Sequence, residues 1–255
     1  MKLLATEYTK ADIDKLQDDD YYFGEEGAKF LSKSKVKTLI KDPSGLFDVS
    51  EKTIEMHLGT YLHQLLIEPS LAGVDHVYAG KSRKNKGYQE LKAELIAGGE
   101  ENPMIALQDE VDVIERLAEK IKVHPYMSEQ IFSFGNRYEV ANITEVHGIL
   151  VKGKTDVLTE AQNIDIKTTG DISRFKWSAK DFYYDVQAFL YRELFGKPMT
   201  FFVACKKTEA LGVFTCSEDF YRNGERRFLK AVENYRKYYI NKEIPMENFL
   251  ITEEL

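Results

Sequence analysis

Cysteine and proline are scarce in this chain of 255 residues, which contains two cysteines, six prolines and a single tryptophan. Two cysteines, Cys205 and Cys216, cannot build a disulfide framework, and both fall in predicted strands, where we interpret them as small buried hydrophobes. No apolar run is long enough to span a bilayer, and residues 1–7 turn polar too soon for a secretory signal. We therefore expect no membrane segment and a reducing cytoplasm as the compartment.

An excess of positive charge is also absent. The chain has 35 Lys and Arg against 42 Asp and Glu, a net charge of −7. This balance argues against a protein that coats nucleic acid indiscriminately, but it allows an enzyme with an acidic metal site and local basic surfaces. Basic clusters at residues 33–41 and 81–86 are typical of solvated faces.

The hydrophobic fraction of 43%, with 15 Tyr and 15 Phe, is sufficient for a sizeable core. We expect an irregular lead-in over residues 1–30 and one domain over residues 31–255. The periodicity predicts helices from Ser32 to the Asp42-Pro43 step, over residues 54–68, 107–121 and 178–195, and after Ser217. It predicts strands over residues 138–143, 149–158, 164–167, 201–205 and 211–216.

Two of these strands carry opposed acids. A two-residue turn at Glu160-Ala161 would place Asp156 directly across from Asp165, with Cβ atoms about 5 Å apart. Lys167 shares a face with Asp165 because side chains alternate along a strand. The two carboxylates repel each other unless a cation lies between them, so we expect Asp165→Ala to raise the stability of the metal-free protein. Oxygen ligands on rigid strands suit Mg²⁺ or Mn²⁺, so the hairpin predicts a metal site.

An Asp followed by an acid, a spacer and a Lys on a hairpin resembles the core of the PD-(D/E)xK nucleases. Asp156, Asp165 and Lys167 match the motif, and Thr155 stands where that family often has Pro. The resemblance implies an α/β fold with a restriction-endonuclease-like core, in which helices flank a central mixed β-sheet. It also implies one or two Mg²⁺ ions held by Asp156, Asp165 and the carbonyl of Ile166, with Lys167 beside the attacking water.

A second motif lies in the predicted helix before Pro69. Gly59-Thr60-x-x-His63-x-Leu65-Leu66-x-x-Pro69 resembles the first motif of phage-type exonucleases related to exodeoxyribonuclease VIII. The apolar stripe of this helix does not explain His63, which lies on the opposite side from Ile54. The resemblance implies that His63 faces the metal, whereas the alternative is a histidine satisfied beneath a second layer of packing.

Further residues follow from the same resemblance. Glu139 stands where the phage-type family places an additional acid, and the alternative is a solvent-facing residue on an edge strand. Gln187 and Tyr191 form the Gln-x-x-x-Tyr motif of RecB-like and lambda-exonuclease-like members. The resemblance implies that this pair fixes its helix against the site or touches the DNA backbone. Ser34, Arg83 and Arg137 are the remaining candidates for contacts with substrate.

The family resemblance implies a Mg²⁺-dependent exonuclease acting on the ends of linear double-stranded DNA, of phage or prophage recombination. Such enzymes degrade one strand from its 5′ end, often form homo-oligomeric rings (a trimer or tetramer), and hand the 3′ overhang to a single-strand annealing protein. Three alternatives are a RecB-like nuclease with an iron–sulfur cluster, a non-catalytic DNA-binding protein that retains the fold, and a metal-binding regulator. A RecB-like nuclease with a cluster usually has four cysteines, and this chain has two. A non-catalytic DNA-binding protein would not need the opposed acids, and a metal-binding regulator would not need Lys167.

Overall fold

Two β-sheets are present in the computed structural model, which describes residues 3–48, 51–243 and 245–250. β1 (His76–Tyr78) and β2 (Ile105–Leu107) form a small parallel pair. The larger sheet contains, in spatial order, β3 (Arg137–Val146), β4 (Ile149–Leu158), β5 (Asn163–Thr169), β6 (Met199–Cys205) and β7 (Leu211–Thr215). β5 and β6 are parallel and the other neighbours are antiparallel, so the predicted central mixed sheet is confirmed.

Helices cover both faces of this sheet. They are α1 (Lys10–Lys15), α2 (Asp19–Phe23), α3 (Lys33–Lys41), α4 (Ile54–Ile67), α5 (Lys86–Ala97), α6 (Gln108–Val123), α7 (Pro125–Phe132), α8 (Phe175–Asp181), α9 (Tyr184–Phe195) and α10 (Glu218–Tyr235). A π-helical turn extends α10 from Arg236 to Ile240. None of the helices in the described ranges is long and apolar enough to cross a membrane.

Alternation along the central strands divides the core into two layers. Ile164, Ile166 and Phe202 pack with α4, α6 and α7 on one face. Phe201 and Val203 pack with α3, α9 and α10 on the other face. Asp165 and Lys167 therefore point to the face of α9, as the strand pattern predicted, because they alternate with buried isoleucines.

β4 changes its partner along its length. It pairs with β5 only at Val157↔Ile164 and Leu158↔Asn163. Near the start of β4, the Leu31 N–H donates to the Leu150 carbonyl at 3.0 Å, and the Lys152 N–H donates to the Leu31 carbonyl at 2.8 Å. β4 and β5 thus diverge, and the segment that enters α3 lies beside β4 where the two strands have separated.

Two of the sequence predictions are wrong in detail. The lead-in is not irregular, because it contains α1 and α2. The side chains of Thr9 and Asp18 cap these helices, and Leu16, Tyr22 and Phe30 pack against β3 and β4. Acidic residues that suggested an irregular segment lie at helix starts, where carboxylates accept from free N–H groups.

The single helix predicted over residues 178–195 is two helices. The chain breaks between α8 and α9 at Tyr183, whose left-handed φ of 60° ends the helical path. Asp185, buried in the first turn of α9, pairs with Arg227 of α10 at 3.0 Å. A Cβ on Gly224 would lie 2.0 Å from the Asp185 carbonyl oxygen, so α10 approaches the start of α9 through a glycine.

Candidate metal and active site

The site lies where β4 separates from β5. The predicted turn is confirmed, because the Thr159 N–H donates to the Gln162 carbonyl at 3.0 Å. Asp156 and Asp165 are nevertheless not a ladder pair, since the pairing stops at Val157. The Asp156 carboxylate instead accepts from the N–H of Ile166 at 2.6 Å. The side chain of Asp156 thus satisfies a backbone donor that the separated strands leave unpaired.

Three side chains converge on this point. His63 from α4, Glu139 from β3 and Asp156 from β4 each offer one ligand atom, and these atoms lie within 4.8 Å of one another. His63 Nε2 lies 3.6 Å from Asp156 Oδ2 and 2.7 Å from the Ile166 carbonyl oxygen. The carbonyl only accepts, so Nε2 carries the proton in this contact. His63 therefore lies beside Asp156, and its role as a metal ligand, which the family resemblance implies, stays a prediction.

Glu139 reaches the site through an unusual backbone conformation. Its φ is 47°, in the left-handed region, within an otherwise regular strand. The register is unchanged on both sides, at Tyr138↔Val157 and Val140↔Thr155, so Glu139 lies opposite Asp156. A left-handed non-glycine residue costs about 1–2 kcal/mol, and such strain concentrates at functional sites. The conformation supports a role for Glu139 beyond that of an exposed edge residue.

The two carboxylates of this group have raised pKa values. Burial, with the added repulsion of Asp156 and Glu68, raises the pKa of Glu139 to about 8. Burial also raises the pKa of Asp156 to about 6, although His63 opposes the shift while Asp165 adds to it. Ionisation of both groups is therefore unfavourable without a cation, and a divalent metal would reverse this balance. The two carboxylates are oxygen ligands of the kind that suits Mg²⁺ or Mn²⁺, and the imidazole of His63 lies beside them.

Asp165 and Lys167 form the second part of the site. Asp165 Oδ2 lies 2.5 Å from Lys167 Nζ, and Gln187 Nε2 donates to Asp165 Oδ1. Burial alone would lower the pKa of Lys167, but the carboxylates of Asp165 and Asp156 outweigh it and raise that pKa. Asp165 Oδ2 receives no well-directed hydrogen bond despite its burial, so one of its lone pairs is available to a metal.

Lys33 belongs to this site, although the sequence indicated only a solvated basic face. Its Nζ lies 4.9 Å from the centroid of the Tyr184 ring, and Lys167 Nζ lies 5.3 Å from the same ring. Burial, followed by repulsion from Lys167, lowers the pKa of Lys33 to about 8, against the attraction of Asp165. The only sequence signal was its place directly after Ser32 at the start of α3.

Gln187 and Tyr191 are buried and bonded within the protein. Gln187 holds Asp165, and the Tyr191 hydroxyl donates to the Lys154 carbonyl of β4 at 2.8 Å. A Cβ on Gly153 would lie 2.7 Å from atoms of Tyr191 and Leu194, so this glycine permits the close approach of α9 to β4. Of the two roles left open by the sequence, these contacts support fixing the helix against the site.

The other candidates for substrate contacts lie at separate positions. Ser34 is exposed in the first turn of α3, with its Oγ 2.9 Å from Ser32 Oγ. Arg83 forms a bidentate pair with Glu110 at 2.9 and 2.5 Å, so its charge is already matched. Arg137 is exposed at the first residue of β3, two residues before Glu139. Contacts of these three residues with DNA stay predictions.

A mixed sheet that carries two acids and a lysine at the point of strand divergence defines the PD-(D/E)xK nuclease fold. Residues 29–248 match the family model described as a PDDEXK-like domain of unknown function (DUF3799), and the chain belongs to this family. No curated protein matches the sequence.

Two solved structures illustrate the resemblance. A protein from Eubacterium rectale, provisionally named an exonuclease, is 15% identical with a TM-score of 0.60, over 98% of this chain and 97% of that one. The two proteins share the fold. A phage-related exonuclease from Haemophilus somnus is 12% identical over 69% of this chain and 92% of that one, but its TM-score of 0.32 is too low to support an argument.

Proposed function

We propose that the protein is a divalent-metal-dependent exodeoxyribonuclease that hydrolyses linear double-stranded DNA. The observation that carries the proposal is the group His63, Glu139 and Asp156 beside the pair of Asp165 and Lys167. In this proposal one strand is degraded from its 5′ end, and the remaining 3′ strand passes to a single-strand annealing protein in phage or prophage recombination. The enzyme acts in the cytoplasm, that of the host if a phage encodes it.

The proposed metal site contains Asp156, Asp165, Glu139, His63 and the Ile166 carbonyl. A bound Mg²⁺ or Mn²⁺ supplies Lewis-acid polarisation of the phosphate and lowers the pKa of water. His63 must release its proton contact with the Ile166 carbonyl before Nε2 acts as a ligand, because a metal binds the neutral, unprotonated nitrogen.

Lys167 has a defined charge in this mechanism. Its raised pKa keeps the ammonium protonated at neutral pH. It therefore orients the attacking water and stabilises negative charge on the phosphate, rather than accepting a proton. Gln187 acts indirectly, through Asp165. Its Nε2 donates to Asp165 Oδ1, which orients Asp165 Oδ2 toward Lys167.

A digestion assay tests the proposal. Linear duplex DNA should be degraded with Mg²⁺ and preserved with EDTA, and covalently closed circles should resist. A 5′-terminal label should be released before a 3′-terminal label. Equal attack on circles would make the protein an endonuclease, and DNA binding without any digestion would favour the non-catalytic alternative. Asp14→Asn, at an exposed carboxylate of α1, serves as the matched control for variants of the buried acids.

The proposed assembly is a homo-oligomeric ring of three or four chains that encircles DNA. Light scattering of the purified chain gives the mass directly, for comparison with 29.4 kDa per protomer. A monomeric mass under conditions in which DNA is digested would contradict the ring.

A further inference from the structure

α8 and the residue that follows it present two exposed aromatic side chains. The exposed fraction is 57% for Trp177 and 52% for Phe182. A cavity of about 380 Å³ opens beside Trp177. Its wall includes five aromatic side chains, those of Phe175, Trp177, Phe201, Phe214 and Phe220. We call residues 174–182 the α8 surface.

The α8 surface is connected to the candidate active site through one ring. The ring centroids of Phe182 and Tyr184 are 5.9 Å apart, and the Tyr184 ring lies 5.3 Å from Lys167 Nζ. Tyr184 also stacks on Phe201 at 5.4 Å, and Phe201 pairs in register with Asp165. Phe182 is thus separated from Lys167 by the single ring of Tyr184, so the α8 surface adjoins the candidate active site.

The local charge is positive, although the chain carries −7 overall. Residues 174–181 contain Arg174, Lys176 and Lys180 against one carboxylate, Asp181. Lys176 Nζ lies 4.6 Å from the centroid of the Trp177 ring. Within residues 3–48, 51–243 and 245–250, no carboxylate lies within 4.0 Å of Lys176 or Lys180 to form an ion pair with it. The ammonium groups of these two lysines are therefore available to contact phosphates.

We propose that the α8 surface binds unpaired nucleotides of the DNA strand that is being hydrolysed. Bases would stack on Trp177 and Phe182, with Lys176 and Lys180 against the backbone, which is the pattern of single-strand binding sites. This inference rests on the proposed function. It adds that the duplex end opens before hydrolysis, because bases inside a duplex present no face to a side chain.

Trp177 is the only tryptophan of the chain, so its fluorescence reports on this surface alone. The titration uses the full protein in EDTA, which prevents cleavage, and three probes: an oligothymidylate, an abasic strand of equal length, and a duplex with sealed hairpin ends. The oligothymidylate should quench the emission saturably. The abasic strand carries the same charge without bases and should quench little, and so should the sealed duplex. Saturating binding of oligothymidylate, measured by anisotropy, without any change in emission would overturn the inference.

Variants test the same surface by affinity. Trp177→Ala and Phe182→Ala should each weaken oligothymidylate binding about tenfold, as expected for the loss of one stacked base. Lys176→Ala should reduce the salt slope of binding by about 0.7, the value for one phosphate contact on a single strand. Phe134→Ala, at a fully exposed aromatic between α7 and β3, should change neither quantity. Wild-type affinity in Trp177→Ala and Phe182→Ala would assign the surface to another partner, such as a protein.

Digestion of linear DNA is measured separately, so the two proposals fail independently. Digestion without quenching overturns the α8 surface and leaves the nuclease. Quenching without digestion in Mg²⁺ or Mn²⁺ supports the α8 surface and overturns the nuclease. Thermal melting of each variant identifies any loss of affinity that arises from unfolding.

Discussion

Asp156 and Asp165 are buried on neighbouring strands of one hairpin, but their surroundings differ. Asp156 lies with Glu139 and His63, accepts a hydrogen bond from the Ile166 N–H, and has the imidazole of His63 at 3.6 Å. Asp165 lies with a lysine ammonium and a glutamine amide. The first group, which we call the acid half, contains negative charge without a permanent cation. The second group, the lysine half, carries its own cation.

The difference separates two tasks. The acid half gains most from a bound divalent cation, because burial and mutual repulsion raise the pKa values of both its carboxylates. The lysine half holds a protonated ammonium at a fixed place whether or not metal is bound. We therefore expect metal affinity to depend mainly on the acid half, with Asp165 as a weaker ligand, and the rate of hydrolysis to depend on both halves.

The largest effect is expected from Asp156→Asn, which removes the central ligand of the acid half. Activity in Mg²⁺ should fall about 10³-fold or more, because the charge stabilisation by the metal amounts to several kcal/mol. Single-turnover digestion at increasing Mg²⁺ and Mn²⁺ measures the loss. Wild-type turnover in this variant, with Asp14→Asn as control, would remove Asp156 from the metal site.

Lys167→Ala should affect the chemistry and leave the acid half intact. We expect kcat to fall about 10²-fold, while DNA affinity and the Mg²⁺ dependence stay near those of the wild type. Lys86→Ala is the matched control, since the Lys86 side chain is 91% exposed on α5. A variant that cuts at full rate but binds DNA weakly would instead show that Lys167 binds a phosphate of the DNA backbone. The slope of log affinity against log salt concentration should then flatten by about one unit.

Gln187→Leu tests the lysine half through a residue that orients Asp165. The substitution keeps the volume of the side chain but removes the donor to Asp165 Oδ1. We expect kcat to fall about tenfold to a hundredfold, with an unchanged KM for DNA, as for other groups that orient a ligand. A change in KM alone would place Gln187 in contact with the substrate, which its burial does not favour.

The smallest effect concerns stability. The folded pKa of Asp156 is about 6 against an ordinary 3.8, and that of Glu139 is about 8 against 4.5. An acid whose pKa is higher in the folded than in the unfolded protein lowers the free energy of unfolding once it must ionise. This destabilisation is absent below the unfolded pKa and complete above the folded pKa. The metal-free protein should therefore lose several degrees of Tm between pH 5 and pH 8.5. Mg²⁺ should restore most of that loss at pH 8.5, and a Tm profile that is flat with pH would contradict the raised pKa values.

The local features of the site were predictable from the sequence. Strand alternation placed Asp165 and Lys167 on one face, and the apolar stripe of α4 did not account for His63. The turn at Glu160-Ala161 was a hypothesis about the short link between two predicted strands. Each of these rests on neighbours within about a dozen residues, where periodicity carries information.

The remaining features depend on distant segments. Lys33 reaches the site only because Leu31 pairs with β4, about 120 residues further along the chain. The sequence has no Gly or Pro at Tyr183 that would predict the break between α8 and α9. Glu139 likewise has a left-handed φ that no sequence pattern predicts. The expectation that Asp165→Ala stabilises the protein also loses its basis, because Asp165 forms an ion pair with Lys167, whose ammonium would be left buried without its partner.

Calorimetric titration of Mn²⁺ and Mg²⁺ into three proteins tests the division between the two halves most directly. The proteins are the wild type, Asp156→Asn and Lys167→Ala, each without DNA, so that activity plays no part in the readout. We predict saturable metal binding to the wild type and to Lys167→Ala, and loss of that binding in Asp156→Asn. Equal metal affinity in all three proteins, or loss of binding in Lys167→Ala alone, would contradict the assignment of metal binding mainly to His63, Glu139 and Asp156.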